Sequence, residues 1–231
     1  MLISLESMLA FRIRGTDGFA GTVHDFHFEG DSGQPRYLVA NLGAGHLWRK
    51  ALIPAEKIQR PDFPNRELRV DLTRDEIAHC PGIAADPPIY KQIQDQAVNY
   101  YSWACHWTPW SGQPESEPSF TSEPGSNRQS FRYLLGYGIH TMEGKAGLLT
   151  DLFVDEQTWR IRTIATKAED GKTLLVLVNC IRSICYEGKA VYLDINRAGL
   201  IGAPAFDPVA ADYATLDDRL NTYYSHVPRP L

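Results

Sequence analysis

The sequence predicts a mainly β protein with accessory helices: two small antiparallel β-barrels, pseudo-two-fold related, each followed by short helices. Three observations point there. Landmarks in the first part of the 231-residue chain recur in the second. Each copy holds short runs rich in Val, Ile, Leu, Tyr and Phe, punctuated by Gly, Asp, Asn and Pro. Between the copies lies one segment of very different composition.

The repeat is explicit in order and spacing. "GFAGTVHDFHF" (Gly18 to Phe28) matches "GKAGLLTDLFV" (Gly144 to Val154) at an offset of 126 residues. "VDLTRDEI" (Val70 to Ile77) matches "LDINRAGL" (Leu193 to Leu200), and "NYYS" (Asn99 to Ser102) matches "TYYS" (Thr222 to Ser225), both at 123. The second copy is therefore about three residues shorter, a difference expected in the loop opposite "GAGHLWR". Between the copies, "SGQPESEPSFTSEPGSNRQS" has one aromatic in twenty residues. Such a stretch cannot bury enough apolar surface to offset its ordering entropy, so it reads as an exposed linker. The expected organisation is copy one over 1–110, linker over 111–130 and copy two over 131–231.

In copy one the strands are "FRIRG", "GTVHDFHFEG", "PRYLVANL", "RKALIP" and "ELRVDLT", with "TDG" and "EGDSG" as turns. In copy two they are "YGIHT", "GLLTDLFVD", "WRIRTIAT", "KTLLVLVN" and "KAVYLDI". "PAEKI" and the matching step near Asn179 read as a short helical turn followed by a linker strand. Thr73 and Glu76 have the spacing of a capping box, in which each side chain satisfies the other residue's backbone N–H. Pro81 ends that helix early. A longer helix is expected from Ile89, Ile93, Ala97 and Tyr100, which share one helical face. Its counterpart carries Val209, Tyr213, Leu216, Leu220 and Tyr223.

The candidate sites are few. His24, Asp25 and His27 crowd one strand, yet the repeat sets Thr150 and Phe153 at the histidine positions while retaining Gly21 as Gly147 and Asp25 as Asp151. On a regular strand residues 24 and 27 also point to opposite faces, so the stretch reads as a strand and not as a metal site. Cys80, Cys105, Cys180 and Cys185 show no CxxC or zinc-ribbon spacing and read as free thiols, mainly buried. Cys105 and His106, adjacent in the chain, suit neither chelation nor a nucleophile–base pair. "NLGAGHLWRK" lacks the spacing of a phosphate loop and reads as a hairpin loop. Tyr100, Tyr101, Trp103, Trp107 and Trp110 form the densest aromatic stretch. They either pack the end of copy one or make a candidate interaction surface for a protein. Net charge is −5, so no global basic field draws the chain to nucleic acid or anionic lipid. No apolar run reaches the ~20 residues of a membrane span, and the N-terminus lacks a signal-peptide pattern, so a cytoplasmic location without membrane insertion is expected.

With these residues assembled, the chain resembles the PRC-barrel family, named for the cytoplasmic barrel of the photosynthetic reaction-centre H subunit. The resemblance rests on Gly18, Gly21 and Asp25, repeated as Gly144, Gly147 and Asp151, and on "RYLV", "ALIPAEKI" and "VDLTRDEI". The "PPIYKQ" and "NYYSW" segments are similar to helical extensions of bacterial members. The resemblance implies interaction modules and supplies no catalytic residue, cofactor or metal. The expected function is a non-enzymatic protein-interaction or scaffold module with an unidentified protein partner and possible self-association. The rival is a small-molecule-binding or hydrolytic protein using a cleft between the barrels, with His24, Asp25, His46 or His106 as polar groups.

Overall fold

The computed structural model describes residues 1–29, 33–43, 49–83, 128–186, 188–206 and 213–228. They form two compact, mainly β units. The first holds residues 7–83 with 128–131, and the second holds 1–6 with 132–228. Each unit thus contains one strand from the other repeat.

In the first unit, β2 (Arg12–Gly15), β3 (Gly18–Glu29), β4 (Pro35–Asn41) and β5 (Lys50–Pro54) follow the expected strands closely. β6 (Glu67–Arg69) and β7 (Gly82–Ile83) complete the order β6-β2-β3-β4-β5-β7. β8 (Arg128–Ser130) lies against β3, off this path. Residues 128–130 were expected at the end of the linker. They form a strand because the exposed edge of β3 supplies backbone partners and Asp25 supplies an acceptor for Ser130.

The second unit repeats the plan. β9 (Gly138–Thr141), β10 (Gly144–Asp155), β11 (Ile161–Ala168), β12 (Thr173–Leu177), β13 (Ile181–Cys185) and β14 (Ala190–Leu193) run in the order β12-β11-β10-β9-β14-β13. β1 (Leu2–Ser4) pairs with β10 as β8 pairs with β3. Val39 and Ala165 occupy equivalent registers, as do Leu52 and Leu175. The three-residue difference therefore falls in the β4–β5 connection, where the sequence placed it.

Among the described residues neither sheet closes into a barrel, since their end strands are not paired with each other. One edge of each sheet, β6 and β12, is covered by isolated bridges, which meets the need to satisfy exposed strand groups there. Bridges Ile58–Val70 and Asp62–Glu67 lie along β6, and bridge Leu174–Ala205 lies along β12. Nor are the sheets wholly antiparallel, since β6 runs parallel to β2 and β14 runs parallel to β9. Parallel neighbours need a crossover longer than a hairpin. The 3-10 turns Ala55–Lys57 and Val178–Cys180, with the extended segments after them, begin those crossovers.

Among the described residues four of the five α-helices are short, and the last runs for 13 residues. α1 (Leu5–Met8) and α3 (Phe131–Leu134) follow the exchanged strands. α2 (Arg74–His79) carries the expected capping box, with the Glu76 N–H donating to Thr73 Oγ1 and the Thr73 N–H donating to Glu76 Oε2. The Arg49 guanidinium donates to the Ala78 and Cys80 carbonyls, so this cation of "GHLWR" closes a helix end. In α4 (Arg197–Ile201) Asn196 replaces the box with a single side-chain cap, accepting from the Gly199 N–H. α5 (Tyr213–Ser225) buries Leu216, Leu220 and Tyr224, and the Tyr224 hydroxyl donates to the Leu175 carbonyl of β12. Tyr223, expected on that face, is half-buried and donates to the Gly199 carbonyl. The helix expected over 89–100 lies outside the described residues.

Candidate functional site

The repeated Gly-x-x-Gly-x-x-x-Asp pattern gives each unit its most polar buried point. Gly21 and Gly147 come first. A Cβ on Gly21 would collide with the Asn41 carbonyl oxygen, and one on Gly147 would stand 2.6 Å from that of Lys167. The glycines let β3 and β10 approach their neighbours closely enough to bulge. In β3 the register shifts between Val23 and Asp25 and again between His27 and Phe28. In β10 it shifts between Leu149 and Asp151 and between Phe153 and Val154, at the same repeat positions. A bulge re-aims side chains. Here the run from Asp25 to Phe28 is buried throughout instead of alternating between buried and exposed.

The turned-in aspartates hold the exchanged strands. Ser130 Oγ donates to Asp25 Oδ2 at 2.5 Å, and the Phe26 N–H donates to Oδ1 at 2.8 Å. In the second unit Ser4 Oγ donates to Asp151 Oδ2 at 2.5 Å. The Glu6 and Leu152 N–H groups donate to Oδ1 at 3.0 and 2.7 Å. Burial pushes the Asp151 carboxyl up to about 7, although these hydrogen bonds pull it down.

His27 Nε2 lies 3.3 Å from Asp25 Oδ2, with side-chain exposures of 8% and 4%. Ser, His and Asp thus meet, but not as a nucleophile site requires. In that chemistry the histidine lies between the two, takes the serine proton and faces substrate. Here serine and histidine both address the same carboxylate oxygen inside the core. Phe153 replaces His27 in the other repeat while the Ser–Asp bond persists. The arrangement is a strand latch.

His24 is half-buried. His46, Cys105, His106 and the surface formed by Tyr100, Tyr101, Trp103, Trp107 and Trp110 lie outside the described residues. Gly18 and Gly144 open β3 and β10 directly after the turns from β2 and β9, with φ of 144° and 121°. Cys80 and Cys180 are buried as expected, whereas Cys185 is exposed. Among the described residues no three His, Cys, Asp or Glu side chains gather as a metal site. Among the same residues no helix is long and apolar enough to cross a membrane.

Sequence reasoning missed two features. Ser4 and Ser130 stand at the 126-residue offset, but one matching serine in three residues is a faint signal. The second feature is the outward side of the β6-β2-β3 ribbon, where Arg12, Arg14, Phe19 and Arg69 are exposed. The alternation in "FRIRG" implied outward arginines, and only the register brings Arg69 beside them. The equivalent ribbon β14-β9-β10 carries Gly138, His140, Lys145 and Tyr192. There the His140 and Tyr192 rings stack with centroids 5.2 Å apart, and Met142 and Leu148 are exposed. No protein-family model matches the chain, and no curated protein matches it.

Proposed function

We propose that the chain is a non-enzymatic, tandem PRC-barrel-like protein that works as a protein-interaction or scaffold module. One observation carries the reading. Among the described residues the buried aspartates of both copies are engaged with serines in holding strands, while the equivalent ribbons of the two copies present different side chains to solvent. Residues kept in both copies serve the fold, and residues that diverge on a shared scaffold are where separate recognition tasks reside.

Affinity capture from the source cell, with the intact protein as bait and identification by mass spectrometry, tests this. A reproducible protein partner is the expected result. If no protein is retained but a small metabolite raises the melting temperature of the intact chain, the scaffold reading fails and ligand binding takes its place.

A further inference from the structure

We infer that the outward side of the β6-β2-β3 ribbon is a docking surface for an extended acidic segment of a partner protein. This deepens the scaffold reading and rests on it. Arg12 and Arg14 stand two residues apart on β2, about 7 Å along the strand. Arg14 lies in direct register with Arg69 on β6 and with Phe19 on β3. Like charges directly opposite on neighbouring strands oppose folding. The Arg12 guanidinium covers the Phe19 ring at 5.1 Å, and that ring is 50% exposed. Arg66, whose carbonyl accepts the Arg12 N–H, follows at the ribbon's end with its guanidinium over the Phe11 ring.

The negative groups nearby are fewer. Glu67 Oε1 lies 3.7 Å from Arg14, and the Asp62 carboxylate, held mainly by Asn65, also feels Arg69. The ribbon is thus a cationic face on a chain whose net charge is −5. The fold does not demand it: the equivalent ribbon forms with Gly138, His140, Lys189 and Tyr192 in place of Arg12, Arg14, Arg66 and Arg69. An extended peptide with a carboxylate at every second residue repeats at the same ~7 Å, which suits forked guanidinium contacts. An apolar residue of the peptide would rest on Phe19. Glu67, inside the face, would repel a long uninterrupted polyanion, which favours a short acidic protein segment over nucleic acid or a membrane.

The test uses the full chain and a fluorescein-labelled peptide of about ten residues alternating Glu and Val, read by anisotropy at roughly 50 mM salt. Saturable binding is expected, weakened about tenfold or more by R14E/R69E, severalfold by R14K/R69K or F19A, and unchanged by Y192A. Circular dichroism confirms that each variant is folded, and the lysine pair keeps the charge should the glutamate pair misfold. Absence of binding, or equal binding by wild type and R14K/R69K, overturns the assignment. So does tighter binding of a uridine oligonucleotide or of phosphatidylserine vesicles. Capture of one cellular partner equally by wild type and R14E/R69E would overturn this face while leaving the scaffold reading intact. Capture of none by the wild type would overturn that reading itself.

Discussion

Asp151 gives up its hydration for three donors, and the balance falls on the side of the protonated form. Its carboxyl titrates near 7 in the fold, against 3.8 as the ordinary value. The folded state therefore holds this proton more tightly than the unfolded chain does. Its contribution to stability is full below about pH 4 and lost as pH rises to about 7, with a ceiling of roughly 4 kcal/mol. Urea unfolding of wild type and Asp151→Asn across pH 4–8 checks this. The Asn variant should gain relative to wild type as pH rises, and parallel curves would remove the argument. At His27 the expectation differs. Since Phe153 fills that place in the other repeat, His27→Phe should keep the fold and shift stability by less than about 1.5 kcal/mol, measured by thermal melting. Asp25 and Asp151 were legible in the sequence because the chain repeats them. Their serines were not, because a hydroxyl that meets its partner 147 residues away leaves no local pattern.

At the scale of an element, β3 and β10 are twelve residues long and bulged twice at matching places against β4 and β11. The glycine that permits the approach, the bulge and the inward aspartate act in series. Gly21→Ala and Gly147→Ala should each cost about 2–4 kcal/mol, because the new methyl meets a backbone carbonyl that cannot rotate away. Chemical denaturation would show the loss, and a neutral result would mean that the strands have slack the bulges do not reveal. Strand positions and the Thr73 cap were readable from alternation and from Thr-Arg-Asp-Glu. The bulges were not, since they arise from pairing with β4 and β11. The parallel neighbours β6 and β14 were missed for the same reason: a strand's own residues do not state which way its partner runs.

For the whole molecule, the main feature is that neither unit is built from one repeat alone. A chain cut at a protease site inserted between Pro118 and Ser119 should stay together, because the first fragment supplies β1 to the second unit and the second supplies β8 to the first. Gel filtration of the cut protein should give a single species until denaturant is added. Separate elution under native conditions would mean that the exchanged strands contribute little. The two-copy plan was visible in the sequence from "GFAGTVHDFHF" and "GKAGLLTDLFV". The exchange was hidden because β1 and β8 are three residues each and share one serine.

The exchange also sets a timetable for biosynthesis. β1 leaves the ribosome well before β10, and its place beside β10 exists only once Asp155 has followed. At 5–20 residues per second the Leu-Ile-Ser strand waits roughly 7–30 seconds for its partner, and the edge of β3 waits roughly 5–20 seconds for β8. Crowded polysomes offer each of them the same strand on a neighbouring nascent chain. Synthesis rate and chaperone supply should therefore govern the yield of correctly paired protein more strongly than the stability of the finished fold.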